Sequence, residues 1–363
     1  MKSFVYDRQI FFMCLISVLG IGIFGIAHTG AAELSTGAWL AAAANSVIFC
    51  TGALILCFIM RRNEGATLYD ISVKAAGRAA GEIFSFLFAL FYLIFSGLAV
   101  SYFSHIVSAW ILPNTSYRLI AALICFTCAA AMSKNFTSII RLTGFLGVIT
   151  VFTLIAIRAV MVFYGDTSNL EPIAEPEVVQ NGLLSALTQC SPFFFGIGVL
   201  AVIPQSSQNK HSVLVSAGAV LFAGAVLVLI CEACISVLGP VQTALYPDAM
   251  LLSMKAFDIS RFTFIQRADI IFIITWTLLL LPASCCICSI PHVYLKRKFG
   301  EKSTRTCAYI IAAAVFILAN TMSGISQALG CMTALCKTAG TVLVFIFPII
   351  ILILSEVRKH GKV

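Results

Sequence analysis

Charged residues are scarce in this chain. Only 10% of its 363 residues are Asp, Glu, Lys or Arg, whereas 60% are hydrophobic, and the mean hydropathy is +1.03. A soluble domain carries about 25% charged residues, so this chain has too little polar material to cover a water-facing surface. The alternation of apolar and polar residues that a transmembrane barrel needs is also missing. The composition therefore predicts an all-α polytopic membrane protein.

The sequence also lacks the usual signals of metal sites, disulfide frameworks and catalytic centres. Most of its 14 cysteines lie inside apolar runs, where cysteine acts as a small hydrophobic residue. The triplet in "SCCICS" has none of the paired His or Cys residues of a metal site. His105 lies in an apolar run with no evident carboxylate partner. The net charge of +8 is spread over loops, which is a topology signal. We therefore expect no enzyme activity, cofactor, metal or nucleic-acid partner.

Apolar runs of about 20 residues, the length that crosses a bilayer core, recur along the chain. The first run is longer than the apolar part of a signal peptide, so we expect it to stay as a permanent span. No soluble domain is evident, and residues 1–363 are predicted to form one membrane domain. We predict ten spans, at approximately 10–27, 38–60, 83–111, 119–132, 136–164, 187–203, 212–238, 269–290, 306–323 and 328–354.

The positions of the cationic residues predict the orientation. With ten spans both termini lie on the same side, and most of the 23 Lys and Arg residues fall at the termini or in the loops on that side. The positive-inside rule then predicts that both termini are cytoplasmic. Residues 239–268 become an outer loop, in which the amphipathic run "DAMLLSMKAF" fits a surface helix and a plain connection equally well. The cationic residues in the opposite loops are Arg118, Lys255, Arg261 and Arg267.

Two of the predicted spans contain residues that weaken helices. Four glycines occur in "SVLGIGIFGIAHTGA" of the first span, and "QCSPFFFGIGVLAVIP" of the sixth span carries two glycines between two prolines. Such glycines can simply let neighbouring helices pack closely. The two spans occupy corresponding positions, however, if the chain divides into halves of five spans, at about 9–165 and 183–355. We therefore predict an inverted repeat in which helices 1 and 6 are broken.

Broken helices in such a fold expose backbone N–H and C=O groups at mid-membrane, where they bind a small zwitterion. We predict a ligand site at this place. The phenol of Tyr92 lies near the middle of its span and is able to bind a carboxylate, although a neighbouring carbonyl is an equal alternative. A hydroxyl like that of Ser284 more often bonds to its own helix. The candidate ligand-binding residues are Gly20, Ile21, Gly22, Phe24, Gly25, Tyr92, Phe193, Phe194, Gly196, Gly198 and Ser284.

Three charged residues fall within predicted spans: Arg158, Glu232 and Lys337. Ionisable residues inside a membrane are costly and are functional candidates. Their similar depth allows Glu232 to pair with Arg158 or Lys337 and to latch the outer half of the bundle. Alternatively, the two cations extend to the headgroups and have no such role.

Several motifs resemble those of a known family. "GIGIFG", Gly20 to Gly25, resembles a signature of the amino acid–polyamine–organocation permeases. "FFFGIGVLAVIP" in span six, and "YPDAMLLSMKAF" followed by "FIQRADIIFIITW", resemble motifs of the endospore germination permeases, the B subunits of GerA-type germinant receptors. The resemblance covers essentially the whole chain. Two positions depart from it, because Gly198 and Gln266 stand where the family often has Glu.

This resemblance implies a LeuT-like fold and a role in spore germination. The chain would be a receptor subunit in the inner membrane of a dormant spore, would bind a small nutrient, typically an amino acid, and would act with a larger A subunit and a lipoprotein C subunit. The alternative is a proton- or cation-coupled amino acid transporter on the same fold. The missing carboxylate at Gly198 slightly favours sensing over coupled transport.

Overall fold

The structure, a computed structural model, describes residues 5–134, 136–205, 209–256 and 268–360, and all regular elements within these ranges are helical. Gln266 and Arg267 of the outer-loop motif lie outside the described residues. The α-helices are α1 (Asp7–Leu34), α2 (Ala38–Arg62), α3 (Leu68–Ala76), α4 (Arg78–Ile106), α5 (Tyr117–Met132), α6 (Phe136–Tyr164), α7 (Pro176–Cys190), α8 (Ser212–Leu238), α9 (Pro240–Leu245), α10 (Ala249–Ala256), α11 (Ala268–Phe299), α12 (Thr304–Ala319), α13 (Ile325–Leu335) and α14 (Phe347–His360).

Several of these helices present apolar side chains on the outside of the bundle. Phe126 of α5 is 68% exposed and Phe152 of α6 is 76% exposed. Both residues lie well inside their helices and not at the ends. Seven helical stretches of the described residues are long and apolar enough to cross a membrane, or eight if the bent pair 325–340 and 342–357 is one span. A surface of this kind is stable against lipid and unfavourable against water. The chain is a multi-pass membrane protein.

Helix α1 forms the centre of the bundle. It packs against α2, α6, α7, α8 and α11, and nearly every residue between Met13 and Ala27 is fully buried. A helix that is apolar on all sides is stable only when other elements surround it. The chain leaves α1 through a turn at Ser35, whose φ is 54°, and returns along α2.

The prediction that glycines unwind the first span is wrong, because α1 continues without a break from Asp7 to Leu34. Two of the four glycines instead mark places where a neighbour lies too close for a side chain, and the other two lie in tight contact with their neighbours. A Cβ added at Gly20 would overlap Cβ of Ala283 in α11, and one added at Gly25 would overlap the ring of Phe193. A glycine weakens a helix by about 1 kcal/mol, and close packing on every side outweighs that cost.

The sixth span is interrupted, as the sequence predicts. Helix α7 ends at Cys190, and residues Ser191–Val202 continue as a 3₁₀ helix. Most 3₁₀ stretches are only three or four residues long, so this long segment is unusual. It packs against α1, α2 and α11, and a Cβ at Gly196 would overlap the backbone carbonyl of Ser17. We call residues 191–202 the 3₁₀ segment.

One end of the bundle, at the start of α1 and the end of α14, is held by ion pairs. Arg297 Nε lies 2.8 Å from Asp70 Oδ1, and Lys298 Nζ lies 2.8 Å from Glu82 Oε2, while Arg62 pairs with Glu356. Burial alone would raise the pKa of Asp70, but hydrogen bonds from Thr67 and the charge of Arg297 lower it. These contacts tie α3 and α4 to the end of α11.

The opposite end is covered by short helices. Helices α9 and α10 follow α8, and α10 lies against α1, α8 and α11. It buries the side chains of Met250, Leu251 and Met254. The short helix therefore forms part of the packed interior, beside α1.

Candidate ligand-binding site

The predicted site residues gather around α1, in contact with α4, α8, α11 and the 3₁₀ segment. Tyr92 of α4 is fully buried, and its hydroxyl donates to the carbonyl of Phe195 at 2.9 Å. A Cβ at Gly198 would overlap the same phenol. Tyr92 therefore occupies the space beside Gly198 and binds the backbone of the 3₁₀ segment.

Three consecutive phenylalanines of the 3₁₀ segment fill the space between α1, α2 and α4. The Phe193 side chain covers Gly22 and Gly25 of α1. Phe194 and Phe195 lie with ring centroids 5.5 and 5.0 Å from Phe49 of α2. All three are at most 1% exposed, so they close this layer of the bundle.

On the α11 side, the predicted residues are engaged in packing and local hydrogen bonding. Gly20 faces Ala283, next to Ser284. The hydroxyl of Ser284 donates to the carbonyl of Leu280 at 2.9 Å, within its own helix. Ile21 is fully buried. Gly20, Ile21 and Ser284 therefore make tight contacts in this layer, and none of them offers a free polar side-chain group to a ligand.

A second layer, one turn further along α1, contains the predicted Phe24 and Gly25 together with residues that sequence reasoning missed. The ring of Phe24 lies 4.2 Å from that of Trp276 in α11. The hydroxyl of Tyr102 in α4 lies 2.8 Å from the Cβ position of Gly25. Asp248, directly before α10, is 1% exposed. The sequence signal for this layer was a carboxylate inside the apolar run "YPDAMLL".

The predicted intramembrane pair between Glu232 and Arg158 does not form. Arg158 is 2% exposed, and its Nη1 donates to Met161 Sδ at 3.0 Å. Glu232 Oε1, Arg158 Nε and Arg158 Nη2 have no hydrogen-bond partner. Lys337 lies elsewhere, in the wall of a cavity of about 460 Å³ between α2, α7 and residues 336–346.

The fold is that of a known class of membrane transporters. The structure of MhsT in complex with L-phenylalanine aligns with a TM-score of 0.66 and 15% identity over 98% of this chain and 99% of MhsT. The nucleobase-cation-symport-1 family transporter Mhp1, with bromovinylhydantoin bound, aligns with a TM-score of 0.61 and 14% identity over 94% of this chain and 77% of Mhp1. These solved structures share the LeuT-like fold that the sequence motifs imply.

The family follows from sequence. The family model described as spore germination protein matches residues 5–328, so the chain belongs to this family of spore germination permeases. The spore germination protein GerQB of Bacillus cereus is 21% identical over 282 residues, which cover 77% of this chain and 76% of GerQB. The resemblance read from the glycine and Tyr-Pro motifs is thereby confirmed.

Proposed function

We propose that this protein is the nutrient-binding, permease-like subunit of a spore germinant receptor, and that its ligand is a small amino acid. The observation that supports this most strongly is the buried meeting point of α1, α4, α11 and the 3₁₀ segment around Gly25. Aromatic rings and buried hydroxyl groups meet there, with Phe193 and the Tyr102 hydroxyl directly against Gly25, which is the mixture found in small-molecule sites. MhsT, which shares the fold, is solved with an amino acid.

The proposal includes the membrane topology. Helices α1 and α2 are each long enough to span a bilayer, since 25 residues at 1.5 Å each reach beyond the roughly 30 Å apolar core. Counting α5 and the bent pair as spans gives ten, arranged as two inverted halves with both termini in the cytoplasm. The ion-paired end, rich in Lys and Arg, is then the cytoplasmic end.

Sensing is favoured over coupled transport by the environment of Gly198. A coupled transporter needs an ionisable group or cation site that changes state during the cycle. At this position the chain has no side chain, and the phenol of Tyr92 fills the space. We propose that ligand binding is passed to a receptor A subunit and a lipoprotein C subunit in the spore inner membrane, and that the protein has no enzymatic activity.

Binding and flux measured on one preparation test this proposal. The purified chain is screened with the protein amino acids by thermal shift, and the tightest binder is then tested for uptake into proteoliposomes. We expect saturable binding without concentrative uptake. Uptake driven by an ion gradient would make the protein a transporter, and binding by none of the amino acids would contradict the proposed ligand class.

A matched pair of glycine substitutions tests the location of the site. Gly25→Ala places a methyl group against Phe193 and the Tyr102 hydroxyl, so it is expected to abolish binding. Gly330→Ala adds the same methyl group in α13, where no atom lies within 4 Å, and is expected to bind like the wild type. Equal binding by both variants would place the ligand away from Gly25.

A further inference from the structure

The continuous α1 raises a question about the charged ends of an amino acid. In a broken helix they would bind free backbone groups, but in α1 those groups are engaged within the helix around Gly20 to Gly25. The α1 backbone therefore offers no free groups to a zwitterion at this place, and side chains are the candidates for its binding. Buried polar atoms without partners are rare in folded proteins and call for an explanation.

Four such atoms belong to residues on α1 from Gly25 onward or on elements that lie around this part of the helix. They are Thr29 Oγ1, Tyr102 Oη, Asp248 Oδ2 and Trp276 Nε1, and none of them has a hydrogen-bond partner. Each side chain is more than nine-tenths buried. The four belong to α1, α4, the α9–α10 turn and α11, and both α10 and α11 pack against α1.

The contacts of these residues connect them to the same turn of α1. Thr29 follows Gly25 by four residues and lies on the same face of the helix. Tyr102 touches the Gly25 position, and α10, which begins directly after Asp248, packs against α1. Trp276 packs on Phe24.

Their chemistry fits both ends of an α-amino acid. Asp248 and Thr29 offer oxygen acceptors to an ammonium group, and Trp276 and Tyr102 offer N–H and O–H donors to a carboxylate. Burial raises the pKa of Asp248 to about 6, so the carboxyl group is mostly ionised at neutral pH. The backbone of Asp248 accepts hydrogen bonds from Leu251 and Leu252, which fixes its position at the start of α10 and leaves Oδ2 unused.

We infer that Thr29, Tyr102, Asp248 and Trp276 form the subsite for the charged ends of an amino acid, with Asp248 binding the ammonium group. This inference rests on the proposed amino acid ligand. The sequence predicted a binding layer that includes Tyr92 and Gly198, whereas this inference places the charged ends of the ligand at the level of Tyr102. It also assigns an acidic residue of the outer loop to ligand recognition, so that α10 closes over the bound molecule.

A pair of probes tests the role of Asp248. The tightest-binding amino acid is compared with its α-hydroxy acid, in which a hydroxyl group replaces the ammonium group, on the full chain in nanodiscs. Asp248→Asn is expected to weaken amino acid binding by about 10- to 100-fold, as for loss of a charged hydrogen bond, and to leave hydroxy acid binding unchanged. Asp166→Asn, an exposed carboxylate of the α6–α7 connection, is expected to change neither.

Other results separate the two proposals. Unchanged amino acid binding by Asp248→Asn, or an equal loss for both probes, overturns the subsite and leaves the amino acid ligand standing. Failure of every amino acid to bind the wild type overturns both. If Asp248→Asn does not fold, Trp276→Phe tests the subsite instead, because this substitution keeps an aromatic ring and removes the Nε1–H donor. It is expected to weaken the amino acid more than its carboxamide, and an equal effect on both overturns the subsite.

Discussion

Helix α1 and the 3₁₀ segment have similar sequences and different backbones. Both are apolar, mostly buried and rich in glycine, yet α1 keeps one winding over 28 residues, whereas the chain changes from α to 3₁₀ winding at Ser191. The 3₁₀ segment has a proline at its second residue, and α1 has none. Pro192 has no N–H to offer the carbonyl of Thr188, and the hydroxyl of Ser191 donates to that carbonyl instead, at 2.9 Å. Glycine thus permits close contact in both segments, and the change of winding in the 3₁₀ segment coincides with Pro192, whereas α11 continues through Pro282 and Pro291.

The contact at which the two segments meet gives the largest expected effect. Gly196→Ala would place a methyl group on the backbone carbonyl of Ser17. Neither backbone is able to move without separating α1 from the 3₁₀ segment, so we expect a loss of about 3 kcal/mol or more in the free energy of unfolding. SDS titration of the purified chain in mixed micelles measures this change in the free energy of unfolding. A loss below about 1 kcal/mol would show that the two segments lie further apart.

Gly20→Ala tests a contact of α1 with a side chain rather than a backbone. The added methyl group would overlap Cβ of Ala283, and we expect a loss of about 2 kcal/mol. Because the obstacle is a side chain, Ala283→Gly in the same protein should restore most of the stability. Absence of this rescue in a double-mutant cycle would contradict the direct contact between α1 and α11.

Tyr92→Phe tests how the 3₁₀ segment is held. The substitution keeps the ring and removes the hydrogen bond to the Phe195 carbonyl, for an expected loss of about 1 kcal/mol. Amino acid binding should persist, because the proposed binding layer is at Tyr102. Loss of binding with unchanged stability would return the ligand to the level of Gly198.

The positions of the helices could be predicted because a long run of apolar residues with charged residues on either side indicates a membrane span. The predicted ranges 136–164 and 212–238 coincide with α6 and α8. Those signals are local in sequence and independent of what packs against them. Whether α1 stays helical depends on the elements that pack against it. A glycine that breaks a helix and a glycine that allows close contact with Ala283 cannot be distinguished in the sequence.

The candidate site was predictable only in part, for a related reason. The sequence indicated that Gly25 and Phe193 lie in the central layer, because both belong to glycine-interrupted spans. It gave no sign that Asp248 and Tyr102 share a layer, since they are far apart in the chain. Whether a buried carboxylate has a partner is a property of the tertiary structure. The same holds for Arg158 and Glu232, whose similar depth did not make them neighbours.

The smallest expected effect comes from a glycine with no close neighbour. Gly218 lies in α8, and apart from the nearby backbone of its own helix and its chain neighbours, no atom is within 4 Å of its Cβ position. Gly218→Ala therefore adds helix propensity without a clash, and we expect a gain of up to about 0.5 kcal/mol, measured by the same SDS titration. This substitution is informative when compared with Gly20→Ala and Gly196→Ala, because the sequence alone does not distinguish these three glycines. A loss at Gly218 comparable to that at Gly20 would mean that glycine is needed for the backbone itself, and the explanation by contact would fail for α1 as well.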